Sequence, residues 1–245
     1  MQSEYANFIY NKEHGFIFAY VPKVACSNWK CLLRHMEGHE NYLDTKFAHD
    51  KNINGLRYLV NEENPMALLS DPAIKKYACV RNPYSRLLSA YLNKIEHNLN
   101  LMKDGREKDD LFFTITCKVE TYRKERLNVD EYPEVNFAVF LRWLMNGPKW
   151  LTSNEHWLSQ TDLLMINNVK FDYIGRFEQL SLDAQIMMDM MGCNVAFPTQ
   201  KDINFAPTSA SMKVRKYYSE ETMDLVKSLY MSDFINFNYD FQLPK

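Results

Sequence analysis

The stretch that decides the fold is GFIFAYVPKVACSNWKCLLRHM, residues 15–36. Its first half, GFIFAYV, is a short β-rich apolar run that ends at Pro22, which predicts a buried strand. In its second half apolar residues recur at helical spacing from Trp29 to Met36, until Gly38 stops the pattern. The loop PKVACSN joins the two halves. This stretch therefore predicts a strand–loop–helix unit.

A second unit of the same kind follows along the chain. KKYACV (75–80) predicts another short strand, RNP interrupts it, and YSRLLSAYLNKI continues as a helix with Pro83 near its first turn. Further elements are predicted as helices at 134–146, 178–191 and 219–231, and as a strand at 171–175. Two strand–loop–helix units predict the α/β class, with a central parallel sheet flanked by helices.

The length of 245 residues suits one domain with a sizeable core, and no linker-like composition interrupts the chain. Only residues 98–130 change character, because they are charged and irregular in pattern. We interpret 98–130 as a charged insertion that either contacts an acceptor or is simply solvated, and we favour the second. The expected organisation is therefore a single domain over 1–245.

Composition excludes two classes of function. Lys and Arg number 29 against 31 Asp and Glu, and a net charge of −2 argues against a dedicated nucleic-acid binder. The chain has only 7 glycines, no two of them closer than 17 positions. Neither G-x-G-x-x-G nor G-x-x-x-x-G-K-[ST] is possible, which argues against a nucleotide kinase or NTPase of the same architecture.

The sequence also predicts where the protein works. No apolar run approaches the length of about 18 residues that spans a bilayer, and the first residues lack the basic and apolar regions of a signal peptide. The five cysteines are scattered without a C-x-x-C pair, so neither a disulfide framework nor a metal site is indicated. We therefore expect a cytoplasmic protein without a membrane span or a metal site.

The first loop, VPKVACSNWK, has the features of an anion site. It places Lys23, then small residues, then Ser27 and Asn28 where the helix begins. An anion there meets unpaired backbone N–H groups, the positive end of the helix dipole and the Lys23 ammonium. The alternative is that Lys23 is an ordinary solvated lysine before a helix.

The second loop, in CVRNPYSRLLSAY, supplies a second candidate anion-binding site that complements the first. Arg81 stands at the carboxyl end of a strand, and Ser85 and Ser89 lie four apart on the following helix. Ligands of open parallel sheets bind at those carboxyl ends, so Lys23 and Arg81 should converge if their strands are neighbours. A guanidinium and a hydroxyl can clamp a phosphate monoester. The alternative is that Arg81 and Arg86 simply pair with acidic residues.

Together these segments resemble a known family. VPKVACSNWK resembles the 5′-phosphosulfate loop, and VRNPYSRLLSAYLNK the 3′-phosphate motif, of sulfotransferases that use 3′-phosphoadenosine 5′-phosphosulfate (PAPS). The resemblance is to carbohydrate sulfotransferases of the chondroitin 4-O- and glucuronyl 3-O-sulfotransferase type. It extends to NEHWLSQ (154–160), FDYIGRFEQL (171–180) and the C-terminal segment 217–241. It implies a P-loop nucleotide-kinase-like sulfotransferase fold without a metal requirement.

The resemblance also implies roles for individual residues. Those surrounding the 5′-phosphosulfate would be Lys23, Ala25, Cys26, Ser27, Asn28 and Trp29. Those holding the 3′-phosphate would be Arg81 and Ser89. The loop NFAPTSASMKVRK (204–216) falls where the family closes over the nucleotide, with Ser211, Lys213 and Arg215 as looser candidates.

The implied reaction moves the sulfuryl group of PAPS to a hydroxyl of a glycan acceptor by in-line displacement, leaving adenosine 3′,5′-bisphosphate. Lys23 would stabilise charge on the leaving oxygen, and a histidine would take the acceptor proton. Two histidines are candidates for this base. His49, in KFAHDKN, lies where related glycan 2-O-sulfotransferases carry theirs, and His156 lies in NEHW. We favour His49.

Other readings stay open at this point. The chain could be a non-catalytic glycan- or nucleotide-binding protein on the same fold, or a sulfotransferase that acts on a non-carbohydrate alcohol. The stretch LLMINNVK (163–170) lacks the cysteines that Golgi members carry before the following strand. This departure favours a cytoplasmic glycan-modifying enzyme, and the sequence is silent on oligomeric state.

Overall fold

A computed structural model describes residues 4–244. The described chain divides into two compact units. The first, called the sheet unit, comprises residues 4–81 and 160–207, and the second, called the helical unit, comprises 82–159 and 208–244. Each unit is described by itself, and a single domain over 1–245 stays a prediction.

The sheet unit is built on one four-stranded sheet with the strand order β1-β2-β3-β4. The strands are β1 (Phe8–Asn11), β2 (Phe16–Ala19), β3 (Lys75–Val80) and β4 (Tyr173–Arg176). The β2–β3 and β3–β4 pairs are parallel, with Ala19 opposite Ala78 and Val80 opposite Arg176. The predicted parallel sheet and its three predicted strands are therefore confirmed. The antiparallel edge strand β1 was not predicted, because four residues are too few to show a period.

The helices of both units, in chain order, are α1 (Cys26–Met36), α2 (Thr45–His49), α3 (Pro65–Ser70), α4 (Pro83–Tyr91), α5 (His97–Lys103), α6 (Leu111–Arg126), α7 (Phe137–Asn146), α8 (Lys149–Thr152), α9 (Gln160–Leu163), α10 (Leu180–Met191), α11 (Ala210–Tyr217) and α12 (Glu220–Asn236). A π-helical segment, Leu92–Glu96, joins α4 to α5. All the helices predicted from periodicity are present. The α/β class is thus confirmed.

The core of the sheet unit explains the apolar run in the deciding stretch. All four residues of β2 are buried, as expected for a strand covered on both faces. Trp29 of α1 lies against Phe18 of β2, with ring centroids 4.7 Å apart. Strand and helix therefore fix the direction in which the loop between them emerges.

Strand β4 is held close to α10. A Cβ on Gly175 would lie 2.8 Å from Cε of Met187 and 3.0 Å from Cβ of Asp183, so strand and helix approach each other closely here. The Asp183 carboxylate of α10 accepts hydrogen bonds from the Arg176 N–H and from the Tyr173 hydroxyl. Asp183 thus satisfies polar groups at the edge of the sheet.

The helical unit is organised around α4, all nine residues of which are buried. Buried Arg86 donates from Nη1 to the Leu158 carbonyl at 2.8 Å and from Nη2 to the Glu155 carbonyl at 3.0 Å. These two hydrogen bonds tie α4 to the backbone of the segment 155–158. Arg86 is therefore a structural residue.

The charged segment 98–130 differs from its prediction as an irregular stretch. It contains all of α5 except His97, and the sixteen-residue helix α6. Asp110 caps α6 by accepting a hydrogen bond from the Phe113 N–H at 2.8 Å. The buried residues of α6 include Ile115, Val119 and Arg123, which recur every four positions. This narrow stripe is obscured in the sequence by the charges around it.

Within residues 4–244, no helix is long and apolar enough to cross a membrane. The last helix, α12, begins as its sequence indicates: Ser219 and Thr222 form a capping box, and two glutamates occupy the first turn.

Candidate active site

The anion loop, residues 22–28, turns sharply between β2 and α1. Lys23 and Ala25 adopt left-handed conformations, with φ of 70° and 51°. For residues other than glycine this costs about 1–2 kcal/mol each. Lys23 and Ala25 therefore adopt backbone conformations that glycine usually supplies.

The start of α1 leaves backbone donors available. Its first hydrogen bond runs from the Trp29 N–H to the Ala25 carbonyl at 3.0 Å, so the N–H groups of Cys26, Ser27 and Asn28 precede the ladder. In the described chain no side chain caps this helix, and its first turn contains no acidic residue. The positive end of α1 is thus suited to an anion.

Arg81 meets the anion loop at the carboxyl end of β3. Its Nη1 donates to the Lys23 carbonyl at 3.0 Å, and its guanidinium lies 4.2 Å from the centre of the Phe177 ring. Its backbone is held by Gln160, which accepts from the Arg81 N–H at 2.9 Å and donates to the Arg81 carbonyl at 2.8 Å. Lys23 and Arg81 therefore converge at one sheet edge, as predicted.

His49 also reaches the anion loop. It is the last residue of the short helix α2, and its Nε2 lies 2.8 Å from Oγ of Ser27. The donor in this hydrogen bond depends on the tautomer of the imidazole. The sheet unit thus brings the favoured base candidate onto the loop that the sequence predicted for anions.

Two residues of the predicted phosphosulfate set are engaged elsewhere. Asn28 donates from Nδ2 to the Pro198 carbonyl at 2.8 Å. The Trp29 side chain is 1% exposed and lies between Phe18 and Phe197, and its Nε1 has no hydrogen-bond partner in the part of the chain that the structure describes. The side chains of Asn28 and Trp29 therefore serve the fold. The Asn28 N–H precedes the α1 ladder and is available to an anion, whereas the Trp29 N–H is used within the helix.

The cysteines and the other side chains that could bind a metal were compared for burial and grouping. Burial raises the pKa of the Cys31 thiol to about 11, and burial also raises the pKa of Cys79. Cys26, in the predicted phosphosulfate set, is half-buried at the first position of α1. Among residues 4–244, no three His, Cys, Asp or Glu side chains are grouped to hold a metal ion.

Ser89, the predicted 3′-phosphate ligand, lies on α4 in the helical unit. It is buried, and its Oγ is 3.0 Å from Oγ1 of Thr208 in the same unit. Ser209, which follows Thr208, has a φ of 52° and is the N-cap residue before α11. The sequence reasoning missed Thr208, although a hydroxyl residue inside the segment 204–216 was a usable signal.

The segment 204–216 was expected to be a loop, and this was wrong for its second half, because residues 210–217 form α11. Ser211, Lys213 and Arg215 are exposed on this helix. Its far end is anchored by the Tyr217 hydroxyl, which donates to Glu96; burial together with this contact raises the pKa of Tyr217 to about 12.

His156, the second base candidate, lies in a packed corner of the helical unit. Its Nδ1 is 2.9 Å from Oδ1 of Asn154, which also accepts from the His156 N–H at 3.0 Å. The ring meets Phe112 edge-on, with centroids 4.9 Å apart. These contacts are those of a histidine that orders a turn.

The helical unit also contains a groove of about 750 Å³. One wall is a polar face of α6, and the other is the connection from α7 to α8. The α6 wall consists of Lys118, Thr121, Tyr122, Glu125 and Arg126. The segment predicted as solvated therefore shapes a surface depression.

Comparison with known families bears on the whole chain. The family model described as "Sulfotransferase family" matches residues 6–240. The chain belongs to the Sulfotransferase family. The family that the sequence resembled is therefore confirmed.

The curated relatives have consistent names. Carbohydrate sulfotransferase 14 of Danio rerio is 32% identical over 80% of this chain and 51% of its own length. Carbohydrate sulfotransferase 11 of Mus musculus is 26% identical, covering 95% of this chain and 67% of the relative. Carbohydrate sulfotransferase 9 of Homo sapiens is 25% identical, covering 93% and 52%. This chain thus spans about half the length of some curated relatives that it matches.

A solved sulfotransferase structure from Alicyclobacillus acidocaldarius is 14% identical and covers 92% of this chain and 96% of that one, with a TM-score of 0.30. A score this low supports no structural argument.

Proposed function

We propose that this sulfotransferase-family chain transfers the sulfuryl group of PAPS to a hydroxyl of a carbohydrate. The family match and the names of the relatives support the reaction type and the acceptor class. The observation that carries the proposal is the 2.8 Å hydrogen bond between Ser27 and His49. It joins a base to a loop built for an anion, and a binding protein has no need of that base.

The chain's own residues fit the donor's 5′ end. The N–H groups that precede the α1 ladder, the Lys23 ammonium and the Ser27 hydroxyl are all donors. Arg81 holds the loop through the Lys23 carbonyl and adds a second cation. We assign the 5′-phosphosulfate to the anion loop.

Contacts with the 3′-phosphate stay a prediction from the family resemblance. Arg81 belongs to the sheet unit, whereas Ser89, Ser211 and Lys213 belong to the helical unit. Thr208 joins this set, because its hydroxyl lies 3.0 Å from that of Ser89.

In the proposed reaction the acceptor oxygen forms a bond to sulfur as the bond from sulfur to the phosphate oxygen breaks. His49 takes the proton of the acceptor hydroxyl. For this step its Nε2 must give up the hydrogen bond with the Ser27 hydroxyl and form one with the acceptor hydroxyl. Lys23 stabilises the charge that develops on the leaving oxygen. The products are the sulfated carbohydrate and adenosine 3′,5′-bisphosphate.

The test has two stages. Calorimetry of the full chain with adenosine 3′,5′-bisphosphate should give clearly tighter binding than with ATP, and labelled sulfate from PAPS should then appear on a glycan. Preference for ATP would contradict the proposal. Tight binding without transfer to any glycan would favour the non-catalytic alternative, and transfer only to small alcohols would move the acceptor class. A cytoplasmic location stays a prediction, to be checked by imaging the tagged protein.

A further inference from the structure

The position of His49 depends on more than its own helix. Helix α2, which it ends, has five residues, and helices this short are unstable in isolation. Ala48 is the one residue of α2 that is buried in the described structure, and His49 itself is exposed. The position of His49 against Ser27 must therefore be set from outside α2.

Arg34 is placed to set it. Arg34 lies on α1, seven positions after Ser27, and is 1% exposed. Its Nη1 donates to the Asn54 carbonyl at 2.6 Å, and its Nη2 donates to Oδ1 of Asn41 at 2.5 Å. Asn41 precedes α2 and Asn54 follows it, so one guanidinium holds both ends of the segment that carries His49.

A second set of contacts carries this support to the base. Asn54 is fully buried, and its Nδ2 donates to the Ala48 carbonyl at 3.4 Å and to the Tyr58 hydroxyl at 2.8 Å. The Ala48 carbonyl belongs to the peptide bond between Ala48 and His49. The Arg34 guanidinium also lies 5.7 Å from the centre of the Phe47 ring within α2.

The chemistry of these contacts indicates positioning. The hydrogen-bond partners of Arg34 are neutral oxygens, and a buried guanidinium without a carboxylate is costly to desolvate. An apolar side chain would serve simple core packing at lower cost, whereas only the arginine fork reaches two separated acceptors at once. Since Ser27 and Arg34 belong to one helix, the fork fixes α2 in the same frame as the anion loop.

We propose that Arg34 is the positioning residue for His49, holding its imidazole ring at hydrogen-bonding distance from Ser27. The expected effect of Arg34 on turnover rests on the proposed function, whereas its effect on the position of the His49 ring does not. The position of the ring can be measured without any reaction.

The experiment compares Arg34→Met with Arg57→Met, a control arginine of the same unit whose guanidinium forms a half-exposed ion pair with Glu62. Side-chain ¹⁵N spectra of histidine-labelled full chain report the His49 ring, and Ser27→Ala marks the signal of the ring without its partner. Arg34→Met should move the His49 signals toward those of Ser27→Ala, and Arg57→Met should not. His49 signals unchanged by Arg34→Met would overturn the proposal.

Turnover gives the second readout. Arg34→Met should lower kcat about 10²-fold, as misplacement of a reacting group by about 1 Å does, while the affinity for adenosine 3′,5′-bisphosphate is kept. In a His49→Ala background the same substitution should have no further effect. An equal loss in both backgrounds would show that Arg34 does not act through His49.

The outcomes separate the two proposals. If the wild-type chain transfers no sulfate but Arg34→Met still moves the His49 signals, the proposed function fails and the positioning role stands. If Arg34→Met does not fold by circular dichroism, Asn41→Ala removes one acceptor at an exposed position. That variant should move the His49 signals in the same direction by less, and no movement would contradict the proposal.

Discussion

Two helix N-termini, those of α1 and α4, follow parallel strands yet are completed in opposite ways. At α1 the residue before the helix, Ala25, is left-handed, and in the described chain no side chain caps the first turn. At α4 the Asn82 side chain accepts from the N–H groups of Tyr84 and Ser85, at 3.0 and 3.4 Å. Pro83 removes one further donor.

The difference indicates that the loops before α1 and α4, although both follow parallel strands, have different roles. The donors of α4 are used by the protein itself, so its loop can offer an anion only side chains such as the Arg81 guanidinium. At α1 no side chain of the described chain takes up the first N–H groups, and we propose that they bind the anion. A substitution at the α1 loop should therefore change chemistry, whereas one at the α4 cap should change stability.

The largest effect is expected at His49, because only the α1 loop is joined to a base. His49→Ala or His49→Gln should lower kcat by about 10³-fold, within the range of general base catalysis, while binding of adenosine 3′,5′-bisphosphate is kept. Steady-state kinetics and calorimetry measure the two quantities. With His156→Ala as the matched variant, loss of turnover there and not at His49 would move the base to His156.

Lys23→Ala should lower kcat by about 10²-fold, because removal of one group that stabilises developing charge has effects of this size. Exposed Lys12, in the turn between β1 and β2, gives the control Lys12→Ala. Single-turnover sulfate transfer separates the chemical step from product release. Equal rates in both variants would mean that Lys23 is the ordinary solvated lysine of the alternative interpretation.

Arg81→Ala should act mainly on affinity. Loss of a charged hydrogen-bonding group costs about 1.5–3 kcal/mol, which is about 10- to 100-fold in the Kd of adenosine 3′,5′-bisphosphate. Arg81→Lys keeps a charge but not the bond geometry to the Lys23 carbonyl, and should be intermediate. A Kd unchanged in calorimetry would leave Arg81 with only a structural role.

Asn82→Ala tests the other side of the comparison. Loss of this cap should lower the free energy of unfolding by about 1 kcal/mol, because two helix donors lose their acceptor. Urea unfolding followed by circular dichroism measures the change, and Asn82→Asp should restore most of it. If Asn82→Ala instead abolished nucleotide binding at full stability, the contrast between the two termini would be wrong.

The smallest effect is expected at Asp172, beside the starts of β3 and β4, away from both loops. Burial opposes the shift, but hydrogen bonds from the Lys76 N–H and the Lys75 ammonium hold the Asp172 pKa below its usual value. A lowered folded pKa stabilises the protein above the ordinary pKa of about 3.9, and this contribution is lost as pH falls through the folded value.

Asp172→Asn should therefore cost about 0.5 kcal/mol at pH 7, and its difference from wild type should shrink in urea unfolding below about pH 4. A difference that is the same at pH 7 and pH 3 would show that the carboxylate charge has no part in it. Nucleotide affinity should not change, because Asp172 lies at the opposite end of the strands from Arg81.

Much of the sheet unit could be predicted because its signals are local. The apolar run of β2, the helical spacing of α1 and the Asn-Pro start of α4 each lie within a dozen residues. The segment 98–130 was misread because the stripe that buries α6 holds few apolar residues. Its helix is explained by the surfaces it covers in the helical unit.

By itself the sequence determined the strand–loop–helix units, the anion loop with Lys23, and the absence of glycine-rich phosphate loops. These depend on residue type and short spacing. Only the tertiary structure decided that Ser27 meets His49, 22 positions away, and that Arg34 ties both ends of α2 to the same helix. Such contacts depend on how separate elements pack, and no short window of sequence contains that information.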